Sequence, residues 1–175
     1  MKKALKFASL CAGLLAIAAF VLLIATESLT HTYTALSVSF HDLYSAPAVL
    51  FGNGNMVIAN VSANFEGTLA WNALVAWILT GAAGILSLVS FIGSSVKAKK
   101  VLKFSGLISL LSAGLLIAAG ILLFFTKSVF YNANGWGNIN DAYNLSATWI
   151  IAGIASILGG LISALPSVFA IVGKK

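Results

Sequence analysis

The stretch Val101–Val129, VLKFSGLISLLSAGLLIAAGILLFFTKSV, decides how this chain is read. From Phe104 to Phe125 it carries no charge, over a length close to the ~20 residues that cross a bilayer core as a helix. It is also a second appearance. Ile17–Leu29 reads IAAFVLLIATESL and Ile117–Val129 reads IAAGILLFFTKSV; ALKF at Ala4–Phe7 returns as VLKF at Val101–Phe104. The opening WILTGAAGIL from Trp77 is echoed by WIIAGIASIL from Trp149. The chain therefore reads as two copies of one unit: a helix out, a loop, a helix back. Both copies start on the same side, which makes them parallel repeats about a pseudo-twofold axis along the membrane normal. The first and third helices should then occupy equivalent places.

Composition sets the solvent. With 60% apolar residues, 8% charged and a mean hydropathy of +1.03, the chain lies far from the roughly 25% charge of water-soluble domains. Its surface must face lipid. The +6 net charge is no nucleic-acid footprint, because the lysines are sorted. Lys2, Lys3 and Lys6, the group Lys97, Lys99, Lys100 and Lys103, and the tail Lys174–Lys175 hold all but one of the basic residues. The acids Glu27, Asp42, Glu66 and Asp141 fall in the other two connections, with Lys127. The positive-inside rule puts both termini in the cytoplasm, in a multi-pass protein of the cell membrane. The absence of arginine points to an AT-rich coding bias and a low-GC bacterium. Cys11 is the only cysteine, so no intrachain disulfide exists. It reads as a small buried hydrophobe, since bulky Leu10 before it opposes a lipoprotein cleavage site.

The expected fold is an all-α membrane protein, a single four-helix domain with spans at 7–25, 69–93, 104–125 and 147–172. The first span is read as retained, because it exceeds the ~7–15 apolar residues of a signal peptide and its partner at 104–125 cannot be a signal. The cytoplasmic connection is 94–103 and the outer loops are 26–67 and 126–146. The first outer loop is too long for a simple turn. Thr32–Phe40 alternates with period two and reads as a strand. Ala48–Phe51 and Met56–Val61 flank Gly52-Asn53-Gly54-Asn55 and read as a hairpin, with Pro47 at the start of its strand. A small extracytoplasmic antiparallel β-sheet follows. The second outer loop holds Phe130, Tyr131, Trp136 and Tyr143, a set that suits either anchoring in the headgroup layer or partner recognition. In the fourth span small residues recur in two rows, Ala152, Ser156, Gly160, Ala164 and Ala155, Gly159, Ser163, Ser167. Close backbone approach must hold helices together in lipid, so this helix is expected to be the most buried. Pro166 removes one of its hydrogen bonds and is a site for a kink.

Chemistry is sparse. No ionisable residue lies within the spans, which argues against a coupled pump, a multidrug exporter with a membrane carboxylate, or an intramembrane protease. Asn72 is the one strongly polar side chain near a span, and is placed close to the surface. His31, His41, Asp42, Glu27, Glu66 and Asp141 are the residues left for catalysis or zinc, but their spacing matches no ligand motif. The adjacent His41 and Asp42 would point to opposite faces of a strand. No cofactor is expected. Asn60-Val61-Ser62 and Asn144-Leu145-Ser146 match the glycosylation sequon, without consequence in a bacterium.

Four spans with both ends inside, a long first outer loop with a small sheet and a shorter second one resemble the claudin-type tetraspan proteins. The likeness is one of topology. The first outer loop lacks the tryptophan, Gly-Leu-Trp and cysteine pair of claudins, so no functional residue carries over and no paracellular role is implied. The layout also resembles small four-span proteins of low-GC bacteria, which imply no activity. The functional expectation is a non-enzymatic protein whose outer loops bind itself or another envelope membrane protein through Tyr33, Phe40, Phe51, Tyr131, Trp136 and Tyr143. The alternatives are a passive channel or transporter subunit and, further off, a metalloenzyme using His31 and His41. Lipid is the other partner expected.

Overall fold

The computed structural model describes residues 2–35, 37–96, 98–136 and 143–172; Lys97, Asp141, Lys174 and Lys175 lie outside them. In chain order the elements are α1 (Lys2–Ala25), β1 (Glu27–Ala35), β2 (Val38–Ser45), α2 (Ala46–Phe51), β3 (Asn53–Ile58) and β4 (Val61–Glu66). They are followed by α3 (Trp71–Ser95), α4 (Lys99–Phe124), α5 (Thr126–Ala133), β5 (Asn144–Leu145) and α6 (Ala147–Val172).

The helices α1, α3, α4 and α6 are long and apolar enough to cross a membrane. They form a bundle in which α1 and α4 each pack against both α3 and α6 and stand diagonally opposite one another. Its outside is apolar, with Phe7, Leu14, Ile85, Leu107, Leu158 and Leu165 exposed. Three helices start or stop a few residues from the expected bounds: α1 takes in Lys2–Lys6, α4 starts at Lys99, and α3 runs from Trp71 to Ser95. Hydropathy marks only the apolar middle of a helix, and lysine extends one readily.

The interior is built from small residues. Gly160 of α6 lies so close to α4 that an added Cβ would sit 2.7 Å from the Ala113 carbonyl oxygen. Gly120 of α4 faces the Gly153 carbonyl in the same way, at 2.7 Å. Both small-residue rows of α6 turn mainly inward, with Ala152, Ser156 and Gly160 in one and Gly159, Ser163 and Ser167 in the other buried, and Ala155 and Ala164 at their margins. Even so α6 is not the most buried helix. Its apolar window is 33% buried against 39% for α1 and α4, because Ile151, Ile154, Leu158 and Leu161 cover its other face with exposed side chains.

The core is also more polar than the uncharged spans suggest. Ser9 Oγ lies 3.0 Å from Ser90 Oγ and 3.2 Å from Ser109 Oγ, and Ser87 Oγ 2.7 Å from Ser112 Oγ. Ser90 donates to the Ser105 carbonyl at 2.9 Å and Ser112 to the Ala83 carbonyl at 2.8 Å. A serine is small enough for close helix contact, and its hydroxyl finds a partner there. Asn72 joins this interior rather than the surface: it is buried, and its Nδ2 donates to the Leu122 carbonyl at 2.8 Å.

One end of the bundle carries a five-stranded sheet in the order β4-β3-β2-β1-β5, antiparallel at every pairing. The expected sheet is present with different boundaries. Thr32–Phe40 is not one strand but a hairpin, turning at Ser37 with φ 64°. Ala48–Phe51 belongs to the helix α2, which starts with Pro47 in its first turn and stops at Gly52 with φ 75°. Gly52–Asn55 is therefore no turn. The β3–β4 reversal lies at Ala59-Asn60, with φ 50° and 65°. The second loop contributes β5, which pairs Leu29 with Leu145 and Thr30 with Asn144. Both loops thus build one sheet.

Candidate interaction surface

The sheet is tied down at its base and free at its tips. At the base Ala70 N–H donates to the Val49 carbonyl and Gly67 N–H to the Gly52 carbonyl, each at 2.8 Å, and Ser146 N–H to the Ser28 carbonyl at 2.9 Å. Asn134, at the end of α5, gives its amide to both backbone groups of Thr68: Oδ1 accepts from Thr68 N–H at 2.8 Å and Nδ2 donates to its carbonyl at 2.9 Å. Between sheet and bundle lies a seam of aromatic rings. Tyr44 meets Phe65 edge-on at 5.4 Å and Phe130 at 5.4 Å, and lies 5.6 Å from Tyr143. Tyr131 sits 5.9 Å from both Trp136 and Tyr143. Offset and edge-on pairs are the favoured geometries of aromatic rings.

This seam corrects the expectation for the second loop. Tyr131 is 1% exposed and Tyr143 8%, so neither is offered to a headgroup layer or a partner. Trp136 remains partly exposed. Tyr33 and Phe40 stack at 5.3 Å on the β1–β2 hairpin, both half-buried. Phe51 is exposed at the end of α2, edge-on to Trp77 at 5.9 Å. Of the predicted contact residues, Tyr33, Phe40, Phe51 and Trp136 keep surface, and they do not form one patch. At the opposite end of the bundle Lys100 and Lys103 are exposed, Lys2 Nζ reaches the Ser95 carbonyl at 2.9 Å, and Lys6 Nζ lies 5.1 Å from the centre of the Phe91 ring. Lys99 opens α4 there.

Asp42 is the buried charge of the sheet, 5% exposed. Its Oδ1 accepts from Ala59 N–H at 2.6 Å, its Oδ2 accepts from Tyr143 Oη at 3.2 Å, and His31 Nδ1 lies 3.9 Å away. His31 is its cross-strand neighbour and stacks on Tyr33 at 5.0 Å. His41 faces the other side, as adjacent strand residues must, with Thr32 Oγ1 3.0 Å from its Nδ1 and Glu27 3.8 Å from its Nε2. Burial, and after it the neighbouring tyrosines and the Asp42 charge, pushes the Tyr131 and Tyr143 hydroxyls well above the usual phenol range; burial raises Tyr44 as well. Among the described residues no three His, Cys, Asp or Glu side chains gather as a metal site. The histidines stand on opposite faces, and the carboxylate holds a turn and a tyrosine.

No protein family matches this chain, and neither does any curated protein.

What remains open at the surface is the β3–β4 side of the sheet. A groove of about 400 Å³ is lined by the apolar and aromatic side chains of Tyr44, Met56, Ile58, Phe65 and Trp136, together with Asn64 and Glu66. Beside it runs β4, which pairs with β3 along its whole length and, among the described residues, with nothing on its other edge. Sequence reasoning missed this edge because it placed the hairpin turn too early.

Proposed function

We propose that the chain is a four-span protein of the cell membrane, with both termini in the cytoplasm and the sheet outside, and that the sheet binds protein rather than performing catalysis. One observation carries the reading: a sheet anchored by both loops presents a largely apolar groove next to a strand edge that is unpaired among the described residues. Main-chain groups along such an edge supply affinity and an adjoining pocket supplies side-chain specificity. The layout of four long helices and a sheet from the longer loop supports the resemblance to claudin-type proteins as topology. Support for the two-copy reading comes from Ser9 and Ser109, which stand at matched positions of the repeat and meet across the bundle at 3.2 Å. The serine ladder is what favours the second reading, passive conduction. Yet its hydroxyls bond one another or the backbone, which suits a packed core.

The test is photocrosslinking in native membranes from Trp136, in the groove, and from Phe40, on the hairpin. A defined adduct, to itself or to one membrane protein, is expected from Trp136. Lipid adducts alone from both sites, together with selective solute flux in proteoliposomes, would replace binding by conduction.

A further inference from the structure

The edge of β4 differs from the stretch of β2 that β3 leaves uncovered. β2 runs past β3, which pairs with it only at Leu43 and Tyr44. There the Asn60 side chain takes the place of the missing strand: Oδ1 accepts from His41 N–H at 3.0 Å and Nδ2 donates to the Ser39 carbonyl at 3.2 Å. β4, with sequence VSANFE, has no such cover among the described residues. It contains no lysine, proline or bulge, the usual devices that keep an edge from pairing. Val61 is 67% exposed, and of the six residues only Phe65 is buried.

The turn fixes which groups are free. Ala59 and Asn60 both have positive φ, the mark of a two-residue type I′ hairpin, whose closing pair is hydrogen-bonded. Ile58 and Val61 form that pair. By the alternation of an antiparallel ladder, Val61, Ala63 and Phe65 turn their backbone groups to β3, and Ser62, Asn64 and Glu66 turn theirs outward.

Resting on the reading above, we propose that the occupant of this edge is β4 of a second copy, antiparallel and centred on Asn64. In that register Asn64 faces Asn64, and Ser62 faces Glu66 in both directions, so every outward backbone group is served. Ala63 lies opposite Phe65, which keeps apolar side chains together on the groove face. The polar face sets a serine hydroxyl against a carboxylate and opposes no like charges. The strand is thus complementary to itself. Because β4 runs from the free tip towards the bundle, the antiparallel neighbour is inverted, and two copies meet head to head from facing membranes.

Cysteine pairing tests this in the full chain, with Cys11, the native cysteine, replaced by serine. Opposed residues of a hydrogen-bonded pair have Cα atoms about 5.5 Å apart, within disulfide reach. Protein carrying N64C is placed in two vesicle populations with different tags, which are mixed and oxidised. A disulfide dimer containing both tags is expected from N64C, with at least a several-fold lower yield from A63C and from a cysteine at Val38. Asn64→Pro removes an outward N–H without touching the β3 ladder, so it is expected to abolish vesicle association while leaving the thermal transition near that of the parent. Equal yields at all three cysteines, or tag-mixed dimers only when both tags share one vesicle, would overturn the proposal. If N64C gives no dimer while Trp136 still crosslinks to one defined other protein, β4 self-pairing fails and the binding reading stands. If N64C gives no dimer and Trp136 and Phe40 both capture lipid alone while solute flux is selective, both fall.

Discussion

At the scale of single residues, Asp42 and Ala59 hold the sheet's tip between them. Ala59 adopts φ 50°, a conformation that costs an L-residue with a Cβ about 1–2 kcal/mol. Its N–H is held by the Asp42 carboxylate at 2.6 Å, and hydrogen bonds to charged groups contribute about 1.5–3 kcal/mol. Asp42→Asn should therefore lower stability by about 1–3 kcal/mol, read from denaturant unfolding in detergent. Ala59→Gly should raise it by about 0.5–1 kcal/mol, the left-handed strain relieved less the added chain entropy of glycine. The buried tyrosines set an alkaline limit. Their folded-state pKa values are raised, so the stability they contribute is complete below the unfolded value of about 10 and is lost as the pH climbs from there through the folded values. Melting temperature should fall on that side, with the tyrosinate absorbance of Tyr44, Tyr131 and Tyr143 appearing as the protein unfolds. Tyr131 Oη has no hydrogen-bond partner among the described residues, so Tyr131→Phe should cost little at neutral pH and lessen the alkaline loss.

At the scale of elements, the contact of α4 with α6 is fixed by backbone proximity. A methyl at Gly160 meets the Ala113 carbonyl and the Ile117 side chain, and only the side chain can give way. Gly160→Ala should destabilise by about 1–3 kcal/mol, the usual cost of overpacking, and thermal unfolding in detergent would show it; Gly114, with open space beside it, is the control. The elements also show what was legible beforehand. The four long helices were, because a long apolar run has few alternatives, and the small residues of α6 fall largely on its buried face. The strands near Gly52 were not. A short apolar run such as Ala48–Phe51 reads equally as helix or strand, although Ser45, Pro47 and Gly52 are the start and stop residues of a helix. Asn-Gly pairs drew the turn away from Ala59-Asn60, where the buried Asp42 carboxylate, distant in sequence, stabilises a residue that rarely turns. The seam and the β4 edge were hidden for the same reason: both depend on which segments meet.

At the scale of the whole molecule, the lysines that open α1 and α4 and the sheet occupy opposite ends. If the bundle spans a membrane, Lys100→Cys and Val38→Cys should be labelled by an impermeant thiol reagent from opposite sides only. Labelling of both from one side would remove the four-span reading. The joint between the two ends has a consequence of its own. Trp149, in the buried cluster that joins the bundle to Leu29, Tyr44 and Phe65 of the sheet, is 0% exposed, and its indole N–H has no partner among the described residues, whereas Trp71 is 58% exposed. Its fluorescence must come from a dry, weakly polar site. Light emitted by Trp149 is thus a gauge of whether the sheet is seated: lifting the sheet from the bundle admits water and moves that emission to longer wavelength, while the helices stay intact.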